Sequence, residues 1–169
     1  MSNVYAAERK ENATFSTLHH AFKLRREIRA LCLRYFSYKF KEKKYETEAQ
    51  IERRKQFERA ELDKEVDCVV DILRSITSHI TLANKINPET WPEYTERRLH
   101  QTLAIAECGR LSAEIQFAIE DFATDVNQFI PIDKMISYQI YLLKRWRQSD
   151  NKIKDRLPDS PAAISQKSK

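Results

Sequence analysis

Between Lys23 and Lys44 nine Lys or Arg residues face two acids, Glu27 and Glu42, and Tyr35, Phe36, Tyr38, Phe40 and Tyr45 lie among or just beyond them. Clustered cations attract a phosphate backbone by Coulomb force and by releasing its condensed counterions, and aromatic faces stack on unpaired bases. Lys23, Arg25, Arg26, Arg29, Arg34, Lys39 and Lys41 are therefore candidate phosphate contacts. Lys144, Arg145 and Arg147 form a second basic cluster that could join them. This pattern predicts nucleic-acid binding with little sequence preference, since no helix-turn-helix signature or zinc finger is present to read bases; the expected partner is RNA rather than DNA. The competing reading is a solvated helix face with its aromatic rings turned into a core.

Other chemistry is sparse. Arg74 is followed five residues later by His79, a spacing that resembles the catalytic pair of HEPN-type ribonucleases. There His would supply acid–base chemistry near neutral pH and Arg would hold the phosphate. His19, His20 and His100 have no second ligand at metal-binding spacing, and Glu61 and Glu65 sit among Lys and Arg, where i,i+4 ion pairs are the ordinary explanation. One Gly in the whole chain rules out a glycine-rich phosphate loop. No metal and no cofactor is expected.

The elements that must position these residues are helices. Leu62, Val66, Val69, Leu73, Ile76, Ile80 and Ala83 alternate steps of four and three, a heptad-like seam that should end before Pro88. Upstream, Leu24, Ile28, Leu31 and Tyr35 predict a helix starting near Thr14, with Cys32 and Phe36 beside its apolar face and a turn near Tyr45–Gln50. Thr90 and Glu93 have capping-box spacing, with Pro92 in the first turn of a central helix expected to run from Trp91 to Val126. Its stripes are read as Leu99, Leu103, Ala106 and as Cys108, Leu111, Ile115, Phe122, Val126. Gly109 in that helix costs about 1 kcal/mol relative to Ala, which predicts a close helix crossing or subunit contact there, with Arg110 beside it. A fourth helix, from Ile132 to Asn151, should bury Met135, Ile136, Gln139, Ile140, Leu143 and Trp146. The expected architecture is an all-α antiparallel up-down four-helix bundle. Residues 13–157 form the bundle domain, between a disordered N-terminus (1–12) and a disordered tail (158–169).

Composition agrees with this class. Charged residues make up 33% and hydrophobic ones 41%, and a single Gly with five Pro leaves little material for the tight turns of β architectures. The net charge of +5 favours an anionic partner only weakly, since 25 acidic residues accompany 30 basic ones. Cys32, Cys68 and Cys108 lie far apart among apolar helix positions and read as reduced core thiols of a cytoplasmic protein. The first twelve residues lack a signal-peptide core, and no apolar run reaches membrane-span length.

Leu73-Arg74, the run to Leu82-Ala83-Asn84, and then Ile105-Ala106-Glu107-Cys108-Gly109-Arg110 resemble the Avd family, the accessory variability determinants of diversity-generating retroelements. Small bundle proteins encoded in intervening sequences of 23S rRNA genes are its relatives. In that family one helix often carries Leu-Arg and the next an Ala-Glu-[Val/Ile]-Gly-Arg element. The resemblance covers residues 62–120; Cys108 stands where the family has a branched apolar residue. It implies a four-helix bundle and a basic homo-oligomer, pentameric in the family. The bundle would assist a partner reverse transcriptase and its template RNA without catalysis of its own. Gly109 and Arg110 would then pack at a helix crossing. The alternatives are a HEPN-type ribonuclease using Arg74 and His79, and a module that binds only other helical proteins.

Overall fold

A computed structural model of the chain describes the backbone of residues 2–35, 45–121 and 126–160, with side chains from Ser16 to Cys32 in the first stretch. The described residues form helices joined by short turns and loops, with no strand among them. α1 runs Ser2–Tyr35, α2 Glu48–Lys85, α3 Trp91–Asp121, α4 Ile130–Ser149 and the one-turn α5 Asn151–Lys154. α2 packs along α3, α1 against α2 and α4, and α4 against α3.

Local chemistry sets these boundaries. Thr47 is extended (φ −74°, ψ 156°) and accepts from the Gln50 N–H, while the Thr47 N–H donates to Gln50 Oε1 at 2.9 Å, a complete capping box. α2 thus has a start of its own and is no continuation of α1, in the region where a turn is expected. It ends at Lys85 because Ile86 turns extended (ψ 115°), two residues before Pro88. At α3 the anticipated Thr90–Glu93 box is present: the Glu93 N–H donates to Thr90 Oγ1 (3.5 Å), and the Thr90 N–H donates to Glu93 Oε2 (3.0 Å). The Glu89 N–H, which donates to the same oxygen at 2.8 Å, and then the Thr90 N–H hold the Glu93 carboxyl below its ordinary pKa. Pro131 falls in the first turn of α4, where a missing N–H leaves no bond unmade.

Several boundaries differ from expectation. Helical backbone continues through residues 2–12, so α1 begins well before Thr14. α3 ends at Asp121, and Val126–Gln128 is a short 3-10 turn, so Val126 is exposed instead of lying on the central stripe. Phe36 and Phe122 lie outside the described residues. The start of the expected tail is packed: Ser160 is buried, as is Leu157 just before the tail, and Asp159 accepts from the Trp91 N–H at 2.8 and 3.0 Å. An acidic side chain at that first-turn amide satisfies an orphan donor and suits the positive end of the helix. Residues 161–169 lie outside the described residues.

The core joins Leu24, Ile28, Leu31 and Cys32 of α1 to Val69, Leu73, Ile76 and Ile80 of α2, Cys108, Leu111 and Ile115 of α3, and Ile136, Leu143 and Trp146 of α4. The α2 seam is as anticipated, with Val66 half-buried. On α3 the stripe is displaced: Leu99 and Ala106 are exposed and Leu103 is half-buried. The buried series is Tyr94, Arg97, Gln101, Ala104, Cys108, Leu111, Ile115 and Ala118, an unbroken three-four alternation that includes two polar residues. All three cysteines are free, and burial pushes the Cys32 and Cys108 thiols up to about 12.

Candidate nucleic-acid interface

Of the first basic stretch, Lys23, Arg26 and Arg29 are exposed and Arg25 is half-exposed. Arg26 and Arg29 lie across α1 from Leu24, Ile28 and Leu31, with Lys23 and Arg25 on its two flanks, as helical spacing requires. Arg25 and Arg29 line a groove of about 260 Å³ between α1 and α2, which Val66, Asp67, Val70, Leu73 and Arg74 complete. A shallower concavity of about 450 Å³ lies beside it, formed by Phe22, Arg25, Arg26, Arg29 and Ala30, and Phe22 is 51% exposed there. One aromatic ring and four arginines from two helices therefore share this face. Asp67 lies in the groove and Asp71 pairs with Arg74 at 2.6 Å, so the positive charge is reduced but not cancelled. The side chain of Arg34 and the whole of Lys39 and Lys41 lie outside the described residues.

The second cluster is not continuous with the first. Along α1, the arginines lie level with Val66–Arg74 of α2. Along α4, Arg147 lies level with Arg98 and Thr102 of α3, and so with the His79–His100 contact between α2 and α3. With α2 as the ruler, the clusters are roughly 10–20 Å apart along the helix axes, at 1.5 Å per residue. Lys144 and Arg145 are exposed. Arg147 is half-buried, and its Nη1 donates to Thr102 Oγ1 at 3.3 Å, so part of its hydrogen-bonding capacity joins α4 to α3.

Arg74 and His79 do not meet. Five residues turn a helix by roughly 140° beyond a full circle, and the two point to different neighbours. Arg74 faces the α1 groove, whereas His79 Nδ1 lies 3.1 Å from His100 Nδ1 on α3. Burial, then the neighbouring His100, lowers the His79 pKa, with Glu107 opposing. Among the described residues no three His, Cys, Asp or Glu side chains gather as a metal site requires, and no described helix is long and apolar enough to cross a membrane.

Gly109 requires a correction. It is exposed, and a Cβ added there would meet no neighbouring atom within 4 Å. Among the described residues no helix of the chain crosses at that point, contrary to the crossing expected there. Arg110 lies at the surface between Glu107 (3.7 Å) and Glu114 (3.9 Å), with Nη2 3.9 Å from Cys68 Sγ.

Two polar constellations join the helices, and of their buried polar residues the apolar pattern anticipates Gln139 but not Arg97, Gln101 or Asp150. Arg97 is clasped by Asp150, with Nε to Oδ2 at 2.7 Å and Nη2 to Oδ1 at 3.2 Å, while Nη1 donates to the Ile86 carbonyl at 2.7 Å. Gln101 Nε2 donates to the same Asp150 Oδ2 (2.7 Å), and the Trp146 ring lies 5.1 Å from the guanidinium. The second constellation joins α1 to α4. His20 Nδ1–H donates to Gln139 Oε1 (2.7 Å), and Gln139 Nε2 donates to the Thr17 carbonyl (3.3 Å). Only the continuity of the three-four step through Arg97, Gln101 and Gln139 signals such residues in sequence. Comparison with protein-family models, curated proteins and solved structures returned no match.

Proposed function

We propose that the chain is a non-catalytic helical accessory protein that binds nucleic acid through the arginine face of α1. The observation that carries this reading is the convergence of Arg25, Arg29 and Arg74 on one groove, with Arg26 and exposed Phe22 at its rim. Guanidinium forks suit phosphate oxygens, and a half-exposed phenyl offers a face to a base. The separation of Arg74 from His79 weighs against ribonuclease chemistry within a protomer.

The contact pairs favour an antiparallel up-down four-helix bundle. Cys68 neighbours Arg110 while His79 neighbours His100, and Thr102 neighbours Arg147 while Arg97 neighbours Asp150. In a Cys68→Ser background, spin labels on Ser78 and Thr102 should lie nearer than labels on Ser78 and Ala113; the reverse order would refute this topology.

The resemblance of residues 62–120 to the Avd family extends the reading to a homo-oligomer, pentameric in that family, serving a reverse transcriptase and its template RNA. The outward face of α3 suits such assembly, since Ala106, Gly109 and Ala113 lie exposed between Leu99 and Phe117, exposed to 55% and 58%. Light scattering behind size exclusion tests it: an oligomer that Gly109→Val dissociates without unfolding supports the contact, and a monomer at all concentrations removes it.

Nucleic-acid binding is tested by fluorescence anisotropy of labelled single-stranded RNA and DNA across a salt series. Affinity should fall with salt by a slope of roughly 0.7 per phosphate neutralised on a single strand. Reversal of Arg25, Arg26 and Arg29 to Glu should weaken binding for every sequence and flatten that slope. Undetectable wild-type binding at low salt would leave the helical interaction module in front.

A further inference from the structure

The exposed face of α4 carries a ladder of rings. Tyr138 and Tyr141, 51% and 50% exposed, lie 6.0 Å apart with their planes inclined by 26°. The Arg145 guanidinium covers the far ring at 5.6 Å and donates through Nη1 to the Tyr141 hydroxyl (3.3 Å). At the near end the His20 ring meets Tyr138 edge-on at 4.9 Å and 74°. Lys134 continues the stripe one turn before Tyr138, and Lys144 stands beside Arg145, both exposed. The stripe Lys134–Tyr138–Tyr141–Arg145 follows steps of four, three and four, so it is one continuous face with a cation at each end.

The near end of the ladder is held from beneath. Gln139 is fully buried, and both ends of its amide are used, one on His20 and one on the Thr17 carbonyl. That pair fixes the His20 ring, and the ring in turn limits the swing of Tyr138. A buried amide therefore orders a surface aromatic, and ordering before binding is what a recognition surface gains from.

We propose that this face is a stacking platform for unpaired bases of a single-stranded nucleic acid, with the strand's phosphates on Lys134, Lys144 and Arg145. Rings accept any base through its π face, and interspersed cations follow the backbone. This rests on the nucleic-acid reading above and adds a second, base-dependent site to the arginine face of α1. Charge complementarity selects the occupant: of the exposed charged groups here Lys134, Lys144 and Arg145 are cations and Asp133 alone is an acid, sharing with Lys134 a concavity lined by Ser112, Gln116 and Ile130 at one end of the stripe.

The experiment compares a labelled single-stranded oligouridylate with an abasic strand of equal length, titrated by anisotropy with the full chain. The wild type should prefer the base-bearing strand, and Tyr138→Leu/Tyr141→Leu should lose about 5- to 100-fold on it and little on the abasic strand. Tyr138→Phe/Tyr141→Phe keeps the rings and should retain binding; thermal melting checks that each variant folds. The α1 triple reversal should weaken both strands alike, which separates the two sites. If base-bearing and abasic strands bind equally, or the Leu variant binds as tightly as the Phe variant, the platform is overturned while the phosphate reading stands. If neither strand binds, both fall. Binding of a proline-rich peptide by the tyrosines in place of RNA would assign the face to protein recognition and overturn the proposal.

Discussion

Arg97 occupies a seam position that a leucine would fill in a simpler helix pair, and it is stable there because every direction of its guanidinium is answered. Asp150 is 1% exposed and supplies both carboxylate oxygens, Ile86 a carbonyl and Trp146 a ring face. Removing the carboxylate strands a buried charge, so Asp150→Ala should cost about 3–5 kcal/mol in urea denaturation. A loss below about 1 kcal/mol, the range of an exposed pair, would show that Arg97 readily finds another partner. Gly109 gives the opposite case. With open space at its Cβ, Gly109→Ala should stabilise the protomer by up to about 1 kcal/mol through helix propensity alone; destabilisation by Ala would mean that another surface closes on the site. His79 sets a pH dependence. Its lowered pKa means that the unfolded chain takes up a proton first as the pH drops below about 6.5. The stability it contributes is complete above that value and is lost as the pH falls through the lowered one. Stability measured from pH 7.5 to 5 should therefore fall less steeply in His79→Gln than in the wild type, and parallel curves would refute the assignment.

At the scale of elements, α2 is the helix whose burial the sequence expresses most directly. Its seam residues are apolar, so the period of burial and the period of hydrophobicity coincide, and the capping box and Pro88 mark its ends. Leu73, 1% exposed, should cost about 2–5 kcal/mol as Ala, and Thr47→Ala about 0.5–2 kcal/mol by loss of the N-cap. Thermal unfolding of the two variants checks both, and a near-neutral Leu73→Ala would show that the seam is not core. α3 is harder to read because it buries Arg97 and Gln101 while exposing Leu99 and Phe117. Following its apolar residues alone shifts the stripe around the helix, and Gly109 then falls on a face where a crossing is expected. What decides the matter is the partner at Asp150, 49 residues beyond Gln101, and no local pattern encodes that distance. The same holds for the ring ladder: Tyr138 and Tyr141 are visible in sequence, but the support of His20 by Gln139 spans 119 residues.

At the scale of the molecule, the two basic clusters among the described residues lie at two levels of the helix axes instead of forming one patch. Arg25, Arg26 and Arg29 lie level with the middle of α2, whereas Lys144 and Arg145 lie toward the end where Arg147 meets Arg98 and Thr102. A strand long enough to touch both would be held at two separate points, each screened from the other by more than a Debye length, about 8 Å at physiological salt. Independent sites add. The α1 triple reversal and a Lys144→Glu/Arg145→Glu double reversal should each flatten the salt slope of RNA binding. Combined, they should lose the sum of the separate free-energy costs to within about 0.5 kcal/mol. On oligonucleotides too short to reach both clusters the combined loss should instead exceed the sum, because either cluster still binds the strand when only the other is reversed. A coupling above about 1 kcal/mol on long strands, or equal additivity at every length, would mean that the two clusters act as a single surface.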